Sequence, residues 1–120
     1  MFRIAERIGL HERCDAIVTG DAIGQKASQT LQNIKATDCV LKRLMVLRPL
    51  VGMNKLQIER YAKQIGTYAI SIRPGVSTCG VPTRNPSTNA KKTRLNEVEA
   101  ELNVGALVER ALSSAQVITL

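Results

Sequence analysis

Aromatic side chains are scarce in this chain of 120 residues, which has one phenylalanine, two tyrosines and no tryptophan. Proteins that bind single-stranded nucleic acid commonly stack bases on aromatic rings, so any nucleic-acid contact here must depend on charge. The chain also lacks an apolar run near the roughly 18 residues that a membrane-spanning helix needs, and a basic leader followed by an apolar segment. We therefore expect a cytoplasmic protein with no membrane partner.

Residues that commonly bind metals are few and poorly spaced. The three cysteines, Cys14, Cys39 and Cys79, form no CxxC pair, and the chain has a single histidine, His11. Structural zinc sites need closely spaced pairs of such ligands, so we expect no metal site. In the cytoplasm the three thiols should remain reduced.

Positive charge is abundant, with a formal net charge of +7 and a pI near 9.8. This balance favours a polyanionic partner, although many basic proteins bind none. The charge is densest between residues 73 and 94, a stretch with five cationic side chains, three prolines and no carboxylate. A loop of this length is usually functional or disordered, so we divide the chain into residues 1–72, the basic loop 73–94 and a helical segment 95–120.

Cys79 lies inside this basic loop. A thiol is nucleophilic as its thiolate, and neighbouring positive charge lowers a thiol pKa, so Cys79 is a candidate catalytic residue. The alternative is that Cys79 packs under the loop as a small hydrophobic side chain.

The periodicity of apolar residues predicts helices and short strands in alternation. An amphipathic helix is expected from Phe2 to Arg13, with Glu6 on a polar face, followed by buried strands at 16–18 and 44–47. Between the strands we expect Asp21 to cap a helix over 24–34 and a polar connection over 35–38. This order indicates half of an open α/β sheet with parallel strands.

The second half of the chain is predicted to be mainly helical. Asn54 and Gln57 form a capping-box pattern, and Gly66 fits a left-handed C-cap. Further helices are expected over 95–102 and 104–112, and Val117 and Ile118 predict a final strand.

Two turns follow the predicted strands. In open α/β sheets, ligands bind at the carboxyl ends of strands, and Gly20 in the first turn allows close backbone approach. Gln29 lies shortly after it, where its amide is within reach of a nucleotide. Lys55, after the second strand, begins a helix against the dipole preference and so favours a nearby anion. Glycine, aspartate and a lone unfavourable charge are also ordinary turn features.

Several motifs together resemble the adenylating domain of the tRNA 4-thiouridine synthase family. They include VTGDAIGQKASQT at 18–30 and LRPLVGMNK at 47–55, with shorter matches at 1–6, 64–68, 79–81 and 86–88. The resemblance implies half of a Rossmann-like PP-loop ATP pyrophosphatase domain. Members of this family adenylate uridine 8 of tRNA with ATP and magnesium and then replace the O4 oxygen with sulfur, and many also serve thiamine biosynthesis.

The resemblance assigns roles to particular residues. Gly20 and Gln29 would contact ATP, Lys55 would stabilise charge during adenylation, and Cys79 would carry sulfur from a donor such as a cysteine desulfurase. The cationic residues of the basic loop are expected to contact tRNA; these are Arg84, Lys91, Lys92 and Arg94.

The chain departs from the family pattern in two respects. The family's pyrophosphate-binding loop, S-G-G-x-D-S, has no counterpart here and would lie upstream, so we expect this chain to need an upstream half for activity. Asn54 stands where the family commonly has aspartate. The alternatives are a basic α/β module that binds RNA or a partner without activity of its own, and an inert fragment. The sequence leaves both a monomer and a homodimer open.

Overall fold

The computed structural model describes residues 1–26, 29–74 and 87–119. Cys79 and Arg84 lie outside these residues. The elements within the described ranges, in chain order, are α1 (Phe2–His11), β1 (Ala16–Val18), α2 (Leu31–Asp38), β2 (Met45–Leu47), α3 (Lys55–Gln64), α4 (Tyr68–Ser71), α5 (Lys92–Ala100) and α6 (Val104–Ser113). No helix among them is long and apolar enough to cross a membrane.

The two strands form a parallel pair in which Ile17 is opposite Val46. Helix α2 lies in the connection between them, as expected for a parallel crossover. The structure therefore confirms the predicted α/β class with parallel strands. Both short strands lie where their apolar runs predicted them, but the prediction that they are buried is wrong, because their residues are half-buried or exposed.

Helix α2 begins later than the sequence predicted. Thr30, and not Asp21, is its N-cap, and the Thr30 side chain accepts a hydrogen bond from the Asn33 backbone N–H at 3.2 Å. Gly24 has a φ of +77°, which is incompatible with the helix expected there. Since α2 runs to Asp38, the polar connection predicted at residues 35–38 is wrong: these residues are helical.

Helix α3 is formed as predicted. The Asn54 side chain accepts from the Gln57 backbone N–H at 3.0 Å, and the Gln57 side chain accepts from the Asn54 N–H at 2.9 Å. These reciprocal bonds satisfy two amides that the first turn of a helix leaves without partners. Gly66 follows the helix with a φ of +77°.

Glu6 is buried, contrary to the expectation that it lies on a polar face of α1. Its Oε1 accepts hydrogen bonds from the backbone N–H groups of Lys42, Arg43 and Leu44, at 2.8, 2.7 and 3.2 Å. These bonds, the one from Arg43 most of all, lower the pKa of the Glu6 carboxyl. The carboxylate thus fixes the approach to β2, which helical periodicity alone does not reveal.

Two helices follow the basic stretch, as predicted, but α5 begins at Lys92, inside the predicted loop 73–94, and ends at Ala100 instead of residue 102. Both helices bind α1 through ion pairs. Arg3 donates two hydrogen bonds to Glu99, at 2.8 and 2.7 Å, and Arg7 donates one to Glu109 at 2.8 Å. The strand predicted at Val117 and Ile118 is wrong: the described chain beyond α6 has no regular structure there, because these two residues contact little and are 96% and 79% exposed.

One face of the small sheet carries apolar side chains that nothing in the described residues covers. Alternation along the strands places Val18, Met45 and Leu47 on this face, and they are 67%, 62% and 46% exposed. Within the described ranges the buried apolar residues are few, namely Ala22, Ala36 and Leu44. Parallel sheets normally have both faces covered, so this pair of strands has the character of part of a larger sheet.

Candidate functional site

The loops that follow β1 and β2 lie side by side at the carboxyl ends of the strands. The Thr19 backbone N–H donates to the Leu47 carbonyl at 3.0 Å, and the Ile23 N–H donates to the Val51 carbonyl at 3.1 Å. Between these bonds Ala22 is only 2% exposed. The two turns that the sequence identified therefore form one surface.

Arg48 joins these loops to α2. Its side chain is 10% exposed, and its guanidinium donates to Asp21 at 3.1 Å through Nε and to Asp38 at 3.0 Å through Nη1, with a further short bond from Nη2. Burial lowers the pKa of Arg48, but the bonds to Asp38 and Asp21 outweigh it, and the net shift is upward. The Thr19 hydroxyl also donates to Asp21, at 2.8 Å. Arg48 thereby fixes the residue next to Gly20.

Gly20 is exposed, and a Cβ built on it would meet no atom within 4 Å. Its backbone is thus open to a ligand. Gln29 differs: its Oε1 is buried, and none of the described groups donates a hydrogen bond to it. Buried polar atoms nearly always have a partner in protein or water, so this oxygen is available to a ligand that donates an N–H or O–H.

A cavity of about 430 Å³ opens beside Gln29. Asp21 lines it from the turn after β1, and the Arg3–Glu99 pair lines it from α1 and α5, together with apolar side chains that include Phe2, Ile34 and Val40. Gly20 and Lys55 are not part of its wall. Of the predicted nucleotide-site residues, this cavity therefore involves Gln29 alone.

Lys55 is the first residue of α3, and its side chain is 79% exposed. Its nearest carboxylate is Glu59, with Nζ 3.8 Å from Oε1. An ion pair this long and exposed contributes little, so Lys55 can turn toward another anion. The side chain of the adjacent Asn54 is engaged in the helix cap.

The predicted RNA contacts that the structure describes gather at the start of α5. Lys91 is its N-cap, Lys92 its first residue and Arg94 its third, and all three are exposed. Arg94 pairs with Glu97 at 3.3 Å within the same helix. Three cations on one exposed turn form a patch suited to phosphate groups.

Residues 1–104 match the family model described as "Thiamine biosynthesis protein (ThiI)". The chain belongs to this family. Among the curated ThiI relatives are probable tRNA sulfurtransferases of Acetivibrio thermocellus, 40% identical over 121 residues, and Alkaliphilus oremlandii, 40% identical over 118 residues. These alignments cover 100% and 98% of this chain but 31% and 30% of the relatives.

A solved structure also matches this chain. A crystal structure of a 4-thiouridine synthetase–RNA complex with bound ATP superposes on this chain with a TM-score of 0.88 and 41% identity. The match covers 97% of this chain and 30% of that one. The resemblance predicted from the motifs is confirmed. This ThiI-family chain spans about 30% of the length of the proteins it matches.

Sequence reasoning missed Arg48 and Asn33 as contributors to the site. Arg48 entered the sequence prediction only within the motif LRPLVGMNK at 47–55. Asn33 is 8% exposed and gave no signal, since nothing local distinguishes it from a surface residue of a helix. Both act through residues distant in the chain.

Proposed function

We propose that this chain is part of a tRNA sulfurtransferase, acting in the cytoplasm, that makes 4-thiouridine at position 8 of tRNA. In this proposal it forms the C-terminal part of the adenylation domain. The observation that carries the proposal is the buried Oε1 of Gln29, which no described group binds, at the cavity beside the turn after β1. The likeness to an ATP-bound 4-thiouridine synthetase supports it.

The residues at this turn suit ATP. The Gln29 oxygen can accept a hydrogen bond from an amine such as the exocyclic amine of adenine. A base with a carbonyl in that place could not donate this bond, so the oxygen would favour adenine. The exposed backbone of Gly20 allows a phosphate or ribose to approach. In the described ranges, no three His, Cys, Asp or Glu side chains gather where a metal ion could be held. Magnesium would therefore arrive on the ATP phosphates, as it commonly does.

The proposed reaction has two stages. The uridine O4 attacks the α-phosphorus of ATP and pyrophosphate leaves, with Lys55 placed to offset the negative charge that develops. A persulfide on Cys79, supplied by a donor such as a cysteine desulfurase, then attacks C4 and AMP leaves. A second thiol cleaves the sulfur–sulfur bond, which releases 4-thiouridine and leaves Cys79 in a disulfide with that thiol. Sulfur transfer for thiamine biosynthesis would use the same persulfide.

The tRNA would be held by the cationic patch at the start of α5. Lys91, Lys92 and Arg94 are exposed there, and Arg84 precedes them in the same basic stretch of sequence. Phosphate contacts position an RNA without reading its sequence, so the patch would orient the tRNA and leave the choice of uridine to other contacts.

An upstream half is needed in this proposal. The uncovered apolar face of the sheet, with Val18, Met45 and Leu47, is the surface on which it would pack. That half would also supply the pyrophosphate-binding loop, whose backbone N–H groups hold most of the phosphate charge.

The thiol chemistry provides the test. In the enzyme reconstituted with its upstream half, Cys79→Ser should abolish thiouridine formation while ATP binding persists, because a hydroxyl cannot carry a persulfide. Cys14→Ser and Cys39→Ser are matched controls, since both thiols are free and exposed, and each should retain activity within about twofold. Full transfer by Cys79→Ser would refute the proposed chemistry. Tight tRNA binding without any thiouridine from the wild-type enzyme would favour the RNA-binding module instead.

A further inference from the structure

Asn33 bonds with both ends of its side-chain amide to a distant segment of the chain. Its Nδ2 donates to the Ser87 carbonyl at 2.7 Å, and its Oδ1 accepts from the Ala90 N–H at 2.8 Å. The Thr30 hydroxyl adds a bond to the Thr88 carbonyl at 2.6 Å. Two side chains at the start of α2 thus hold the backbone of residues 87–90, which we call the anchored segment.

These bonds explain why the polar residue Asn33 is buried. The residue is 8% exposed, and the bonds of its side-chain amide go to Ser87 and Ala90 and not to residues of α2. A buried amide costs free energy unless its donor and acceptor are both satisfied. Here the anchored segment satisfies both, so the polar residue holds that segment and not the helix.

The position of the anchored segment links the two parts of the proposed site. On one side, Asn33 lies in the first turn of α2, four residues after Gln29. On the other side, Ala90 immediately precedes Lys91 and the cationic patch. The far end of α5 is fixed as well, by the Arg3–Glu99 pair that lines the cavity beside Gln29.

We propose that Asn33 is a positioning residue: by holding residues 87–90 against the start of α2, it sets the cationic patch of α5 at a fixed place relative to the turn after β1. This inference rests on the proposed function. A misplacement of about 1 Å between reacting groups can cost about 100-fold in rate, so the loss of this anchor should slow transfer without removing either binding site.

The anchor itself can be tested without any activity. Amide hydrogen exchange on the 120-residue chain should show faster exchange over residues 87–92 in Asn33→Ala, with α1 and α3 unchanged. Asn96→Ala is the matched control, because Asn96 is an exposed residue of α5. Unchanged exchange over 87–92 in Asn33→Ala would overturn the inference.

The functional consequence is tested in the reconstituted enzyme. We expect Asn33→Ala to lower kcat for thiouridine formation at least tenfold, with the Kd for ATP within twofold of wild type and Asn96→Ala active. Asn33→Asp keeps an acceptor for the Ala90 N–H but sets a carboxylate oxygen against the Ser87 carbonyl. It should therefore also lower kcat while leaving the Kd for ATP unchanged. Wild-type kcat in both variants would refute the inference, and so would parallel loss of ATP binding or failure of both to fold.

The two hypotheses fail differently. If the wild-type enzyme forms no thiouridine, the proposed function is wrong and the role of Asn33 in transfer falls with it. If the wild type is active and the Asn33 variants match it, only the positioning role is wrong.

Discussion

Replacing Arg48 with methionine would leave two carboxylates without their common partner. The Arg48 side chain is 10% exposed, and its guanidinium bridges Asp21 in the turn after β1 to Asp38 at the end of α2. Methionine keeps much of the volume of the arginine stem, so the change removes the charge and the hydrogen bonds with little loss of packing.

The expected loss in free energy of unfolding depends on how exposed the two carboxylates are. Removing one member of a fully buried pair costs about 3–5 kcal/mol, whereas an exposed pair contributes at most about 1 kcal/mol. The arginine is buried, but the side chains of Asp21 and Asp38 are 30% and 37% exposed, and water can solvate them in part. We therefore expect Arg48→Met to lower the free energy of unfolding by about 2 kcal/mol.

Urea denaturation followed by circular dichroism measures this quantity. Arg94→Met is the matched control, because the Arg94 side chain is 77% exposed and its ion pair within the described residues is with Glu97; its change should stay below about 0.5 kcal/mol. A shift for Arg48→Met no larger than that of Arg94→Met would refute the view that this arginine holds the turns together.

Two further predictions concern charge. The pKa of Glu6 is lowered in the folded state, chiefly by the Arg43 N–H, so its ionised form stabilises the fold above the unfolded pKa of about 4.3 and this contribution disappears as pH falls through the folded pKa. Glu6→Gln should cost about 1 kcal/mol at pH 7 and less at pH 3 in urea denaturation; a constant difference would contradict this. Replacing Lys91, Lys92 and Arg94 with alanine should reduce the slope of log Kd for tRNA against log salt by about two, and an unchanged slope would exclude the patch as an RNA contact.

Short sequence patterns predicted correctly the helix whose ends are determined by neighbouring residues. Helix α3 has its capping pair within four residues and a glycine at its end, and the structure has both. Helix α2 was misplaced because two competing caps, Asp21 and Thr30, precede it. In the structure Thr30 is the cap, and Asp21 instead binds Arg48 from a distant part of the chain.

The same difference between local and distant contacts applies to the residues of the candidate site. Gly20, Gln29 and Lys55 were predicted from motif and turn position, and the structure gives Gln29 a buried oxygen without a described partner. Glu6 and Asn33 were misread or missed because each binds backbone groups more than 30 residues away. Such contacts leave no periodic pattern in the sequence.

The most direct test of the account is a sulfur-transfer assay of this chain with and without the proposed upstream half. With that half, a cysteine desulfurase, ATP, magnesium and tRNA, we expect 4-thiouridine, detected by its absorbance or by mass spectrometry of digested tRNA. Without it we expect none, because the phosphate-binding loop is missing. Thiouridine formed by the isolated chain, or none formed by the reconstituted pair, would contradict the account.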